Sequence, residues 1–137
     1  GFPGETDKDH EELKDFIKKM RFDRLGVFPY SKEEGTPAAK RKDQILKKVK
    51  TKRQKELMHI QQQIAFENAE GMIGRVLDVM VEGKLVKEDV FLGRSYMDAP
   101  KVDGYIFFYG QDEYLSGDFV RVKIMEAKGY DLIGKAI

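Results

Sequence analysis

The hydrophobic positions of this 137-residue chain change period as it runs. Leu13, Phe16, Ile17 and Met20 recur at helical spacing and predict an amphipathic helix over residues 7–20. Thr6 stands where a helix cap belongs, and Asp7 and Asp9 suit the positive end of the helix dipole. Residues 24–30 (Arg-Leu-Gly-Val-Phe-Pro-Tyr) are mostly apolar and predict a short buried strand, so turn, helix and strand make one αβ unit. A polar loop comes next, centred on Glu33, Glu34, Gly35, Thr36 and Pro37. Ile45, Val49, Leu57, Ile60 and Ile64 then mark a long helix over residues 43–68, about 39 Å at a rise of about 1.5 Å per residue. Lys50, Thr51, Lys52 and Arg53 interrupt its apolar stripe, which implies two contact regions, one towards the αβ unit and one towards the C-terminal half of the chain. Gly71 is a natural stop.

From residue 72 the period falls to two. Leu77, Val79 and Val81 alternate with Asp78, Met80 and Glu82, and Val120, Val122 and Ile124 alternate with Arg121, Lys123 and Met125. Turn residues rich in Gly and Asp bound five strands, predicted at residues 73–81, 90–97, 105–109, 119–126 and 130–134. A short sheet with one buried face hides its edges best by closing, so the expectation is a five-stranded antiparallel β-barrel. In the third strand Tyr105, Phe107 and Tyr109 alternate with Ile106 and Phe108. A strand apolar on both faces is either buried twice or exposes aromatics for binding. The fold class is therefore α+β, with an αβ portion over residues 1–39, a linking helix over 40–70 and the barrel over 71–137.

Composition narrows the function. Charged residues make up 36% and hydrophobic ones 41%, and no apolar run approaches the roughly 18 residues of a membrane span. Neither a secretory signal nor an initiator Met opens the chain, so a cytoplasmic protein, cut from something longer, is expected. Zero cysteines exclude disulfides, thiolate metal sites and iron–sulfur ligation by this chain itself. His10 and His59 lack ligand partners at metal spacing and are expected on the surface or half-buried on their helices. No Gly-rich phosphate loop is present. The net charge of +1 is unevenly spread: residues 40–70 carry 9 basic and 4 acidic side chains, residues 71–137 carry 9 and 11. A barrel at −2 favours a basic partner over nucleic acid. The basic run before it reads either as a solvated helix face or as a phosphate contact.

Several blocks add what spacing cannot. They are the opening Gly-Phe-Pro-Gly-Glu-Thr, residues 22–31 (Phe-Asp-Arg-Leu-Gly-Val-Phe-Pro-Tyr-Ser), residues 34–39, residues 61–64, Gly-Arg-Val-Leu-Asp-Val at 74–79, and Gly-Arg-Ser-Tyr-Met-Asp-Ala-Pro-Lys-Val-Asp-Gly at 93–104. In this order they resemble the C-terminal part of the radical-SAM methylthiotransferases, and the Arg94, Ser95, Tyr96, Asp98 stretch is most similar to the RimO type, which modifies an aspartate of a small-subunit ribosomal protein. The resemblance implies that residues 1–39 are the end of a partial (β/α) radical-SAM barrel and that the last part is a TRAM domain, OB-like, which holds the substrate. It also implies S-adenosylmethionine and two 4Fe-4S clusters as cofactors of the parent protein, none of them bound by this cysteine-free piece, which alone is expected to be inactive.

The same resemblance places the turn of Gly1, Gly4 and Glu5 near the S-adenosylmethionine pocket, where free N–H groups at a helix start suit polar ligand atoms. Its bland alternative is an ordinary αβ turn. Tyr30, Ser31 and Glu34 come after the next strand and are candidates for the substrate mouth. Arg94, Tyr96 and Asp98 are candidates for docking the substrate on the barrel, Arg94 first because a guanidinium beside an acidic loop suits protein recognition. The competing readings are an RNA-binding TRAM module, from a tRNA-modifying relative or standing alone, and an adaptor without binding of its own.

Overall fold

The structure, a computed structural model, describes every residue except Lys87, Pro100 and Val102. The expected turn at residues 98–100 and the block through Val102 therefore lie partly outside the described residues. By its contacts the chain divides into two compact units, Gly1–Ile64 and Ala65–Ile137.

In the first unit, helix α1 (Asp7–Met20) begins as expected. Thr6 accepts from the Asp9 amide at 3.1 Å, and the Asp9 carboxylate accepts from the Thr6 amide at 2.9 Å, a reciprocal capping box. Arg21 ends the helix in the left-handed conformation at φ 50°. A single 3-10 turn, Ala38–Lys40, precedes helix α2 (Lys47–Glu70), about 36 Å long at about 1.5 Å per residue. Ile17 packs against Leu57 and Ile64, with Phe22, Leu25, Val27 and Ile60 around them. Residues 24–30 form no strand. Their stretch is held instead by side chains of α2, which donate to carbonyls that a neighbouring strand would otherwise pair. Gln54 reaches the Val27 oxygen at 2.9 Å and Lys50 the Tyr30 oxygen at 3.0 Å, while Gln61 takes the preceding Phe22 oxygen at 2.6 Å.

His10 corrects a second expectation. It is 5% exposed and its Nε2 lies 2.8 Å from a Glu56 oxygen on α2, so a carboxylate partners one ring nitrogen, while Nδ1 is buried without a partner among the described residues. His59 is exposed as expected.

The second unit holds the end of α2 and five strands, β1 (Val76–Lys84), β2 (Val90–Arg94), β3 (Ile106–Tyr109), β4 (Phe119–Lys128) and β5 (Asp131–Ala136). They close into a barrel in the order β1-β2-β3-β5-β4. Four pairings are antiparallel and one, β3 with β5, is parallel, Phe107 lying opposite Ile133. The mixed arrangement is forced. Directions that alternate around a ring must return to their start, which an odd number of strands cannot do. The alternation read from sequence sets the interior: Val79, Val81, Phe91, Ile106, Phe108, Val120, Val122, Ile124 and Leu132 form the core, while Asp78, Met80 and Glu82 face outward. Gly93 lies in this wall because a Cβ there would come 2.7 Å from the Met80 carbonyl oxygen. Phe66, on α2, meets Tyr130 edge-on at 5.0 Å, and Ala69 and Met72 pack against the barrel core.

Candidate functional site

Two places gather the residues singled out in the sequence, one in each unit. In the first, the turn at residues 1–6 is bound up within the chain. The Gly4 amide donates to the Asp43 oxygen at 2.9 Å, and the Glu5 amide to the Phe2 oxygen at 3.0 Å. The Thr6 and Asp9 amides belong to the capping box, so the amides expected to be free for a ligand at Gly4, Glu5 and Thr6 are taken. Gly4, at φ +84°, is held in a conformation that favours glycine, and a Cβ on it would meet side-chain atoms of Asp43 and Arg41 at 2.6 and 2.7 Å.

Arg53 of α2 fastens this turn. Its Nη1 donates to the Glu5 carbonyl oxygen at 3.0 Å and to Glu5 Oε1 at 2.9 Å, and its Nη2 donates to Asp7 Oδ1 at 2.9 Å. Burial pushes the Glu5 carboxyl up, while the hydrogen bond and charge of Arg53 pull it down. Tyr30 lies beside the turn, its ring edge-on to Phe2 at 5.3 Å and under Lys50 Nζ at 5.1 Å. Its hydroxyl is buried without a partner among the described residues. Ser31 and Glu34 do not join it: the Ser31 hydroxyl donates to Glu33 at 2.8 Å within its own loop, and Glu34 is exposed.

A fit for the cofactors that the resemblance implies is limited accordingly. A 4Fe-4S cluster needs thiolates, and this chain has none. Among the described residues no three His, Asp or Glu side chains stand together as metal ligands. In the turn of Gly1, Gly4 and Glu5, the Gly4 and Glu5 amides and the Glu5 carboxylate all have partners within the chain.

In the second unit, Arg94, Tyr96 and Asp98 share one open groove of about 500 Å³ with Val76, Leu77, Asp78, Met80, Ser95 and Phe119. Register explains the assembly. Phe119 lies opposite Met80 and Met80 opposite Arg94, so one row of outward side chains crosses β4, β1 and β2. Arg94 Nε lies 3.0 Å from Glu82 Oε1, which answers its charge. Beyond β2 the chain turns tightly: Asp98 Oδ2 accepts from the Ser95 amide at 3.2 Å and from its hydroxyl at 2.9 Å, and the Ser95 hydroxyl accepts from the Met97 amide at 3.2 Å. These bonds pin Tyr96 at the apex, 85% exposed. Asp98 and Ser95 thus hold the turn, and Tyr96 is what it presents. Sequence reasoning missed Met80 and Phe119. Their signal was present, since both are apolar residues at positions whose alternation faces solvent, and Phe119 is 73% exposed.

A smaller cleft of about 300 Å³ lies at Asp89, Tyr109, Asp112, Tyr114 and Lys135. Burial and the neighbouring Asp112 push the Tyr114 hydroxyl up. No helix among the described residues is long and apolar enough to cross a membrane.

Comparison with known proteins adds the context. The TRAM domain family matches residues 73–137, the segment that forms the barrel. A ribosomal protein uS12 methylthiotransferase RimO of Lachnoclostridium phytofermentans is 69% identical over 99% of this chain, and the match takes up 31% of that relative. Proteins of the same name from Caldanaerobacter subterraneus subsp. tengcongensis and a Thermoanaerobacter species are 51% and 47% identical over 98% of the chain. The chain spans about a third of the length of the curated relatives it matches, 31% and 30% for the first two.

Proposed function

We propose that this chain is the C-terminal, substrate-docking part of a RimO-type methylthiotransferase, one that adds a methylthio group to an aspartate of ribosomal protein uS12. The observation that carries this reading is the agreement along nearly the whole chain with proteins named for that activity. The groove supports it from the other side. Arg94, Tyr96 and Asp98, picked from the sequence as docking residues, stand together on a barrel whose charge is −2, opposite to what a nucleic-acid surface needs.

In the parent enzyme the radical chemistry, supplied by S-adenosylmethionine and the clusters when bound, belongs to residues outside this chain. The part of this chain is to bind and orient. Residues 1–39 serve as the end of the partial (β/α) barrel, residues 40–70 as the linking helix and residues 71–137 as the docking domain. The segment at 24–30 is backed by α2 side chains and forms no strand here, so the assignment of residues 1–39 rests on the resemblance. The turn of Gly1, Gly4 and Glu5 would border S-adenosylmethionine by its shape, and Tyr30, with Ser31 and Glu34 beyond it, would line the substrate mouth. The piece by itself transfers no methylthio group, and the parent works in the cytoplasm.

The test grafts this chain into the Lachnoclostridium relative in place of the matching part and measures the mass of uS12 after reaction. Methylthiolation by the graft, lost when residues 71–137 are deleted while S-adenosylmethionine cleavage continues, is the expected result. Unchanged methylthiolation without those residues would overturn the docking role.

A further inference from the structure

We propose that the groove around Tyr96 and Phe119 is an anchor site for an extended segment of a basic protein, taking one apolar side chain between the two rings and a lysine or arginine on the Asp98 side. The inference rests on the docking reading and deepens it by naming what is recognised.

Three observations carry it. The first is where apolar surface is left in water. Tyr96, Phe119 and Val76 are exposed around one groove with Leu77 and Met80, so the apolar area is contiguous rather than scattered. Its volume of about 500 Å³ lies within the range of roughly 300–1,000 Å³ in which pockets hold small ligands, room for one large side chain and its neighbours.

The second is the absence of an open edge. Each of the five strands pairs on both sides in the closed barrel, so a partner cannot join as a sixth strand. Recognition has to run through side chains entering the groove. Tyr96 suits an anchor because its turn is already pinned by Asp98 and Ser95, and little conformational freedom remains to be lost on binding.

The third is charge. Glu82 answers Arg94 at 3.0 Å, and Asp98 and Asp78 add two further carboxylates to the rim. Arg121 stands opposite Asp78 across β1 and β4, and Lys123 opposite Val76, so the β4 side of the groove is basic. With Glu82 answered by Arg94 and Asp78 opposite Arg121, the field is polarised, negative towards Asp98 and positive towards Lys123. A segment with its cation next to the apolar anchor fits in one direction only.

The experiment uses the 137-residue chain. Probes are uS12, an extended dodecapeptide with Leu flanked by Lys on one side, the same peptide with Leu→Ser or Lys→Glu, and a dodecamer of oligouridylate. Tyr96→Ala and Phe119→Ser are exposed changes that leave the barrel core intact, and Tyr109→Ser in the other cleft is the control. Binding of uS12 and of the Leu–Lys peptide should weaken at least tenfold in the first two variants and stay within twofold in the control, and both altered peptides should bind at least tenfold more weakly. Binding of uS12 that ignores Tyr96→Ala and Phe119→Ser overturns the groove but leaves docking elsewhere intact. Peptide binding in the groove without uS12 binding upholds the anchor site and removes the docking reading. Preference for the oligonucleotide, or no binding at all, overturns both.

Discussion

Arg53 places its guanidinium 2.9 Å from Glu5 and 2.9 Å from Asp7, yet the two contacts differ in weight. Arg53 is 8% exposed and Glu5 is largely buried, whereas the Asp7 side chain is 99% exposed and its pair is screened by water. Arg53→Met should cost about 2 kcal/mol in urea unfolding, below the roughly 3–5 kcal/mol of a fully buried pair, because Glu5 keeps some hydration. Asp7→Asn should change stability by less than about 0.5 kcal/mol. Equal losses for the two would mean that the exposed contact matters as much as the buried one. None of this was legible in the sequence, where Arg53 looked like one more cation in a basic run that interrupts an apolar stripe. Single-chain patterning reports the average face of a helix. It cannot report that one cation on that face is aimed at a carboxylate some fifty positions earlier. His10 escaped for the same reason, its partner Glu56 lying on a different helix.

At the scale of elements, the strands were read almost where they stand, because a two-residue period with turns between leaves little freedom. Their directions were not. The antiparallel expectation overlooked that five strands cannot alternate around a closed ring, and the parallel seam of β3 and β5 is the consequence. That seam has its own fastening: the Tyr105 amide donates to Asp131 Oδ1 at 2.8 Å, just before both strands begin to pair. Asp131→Ala should cost about 1.5 kcal/mol, the scale of a hydrogen bond to a charged acceptor, and should speed amide exchange at Tyr105 more than in β1 or β4. Uniform acceleration across the barrel would show that the bond is not local to the seam. The segment at 24–30 misled in the opposite way. Its composition is that of a strand, but a strand exists only with a neighbour, and here α2 side chains take that place.

At the scale of the whole chain, what composition and spacing supplied was an inventory of exclusions, and the ordered blocks supplied the family. The groove around Tyr96 and Phe119 lay between these two kinds of reading. Arg94, Tyr96 and Asp98 sit close together in sequence and were found through the blocks. Met80 and Phe119 come from two other strands, and only the register of the barrel brings them to the same face. The central claim is that this face, and not the basic run at residues 40–55, meets the substrate, and that the substrate is a protein. Calorimetric titration of the 137-residue chain with uS12 and, separately, with tRNA, at about 50 and about 200 mM salt, tests it most directly, since contacts to several phosphates would lose affinity steeply over that range. The account predicts saturable one-to-one binding of uS12 at both salt concentrations and no comparable binding of tRNA. Tight tRNA binding that collapses at the higher salt, with none of uS12, would contradict it and move the function to the basic helix.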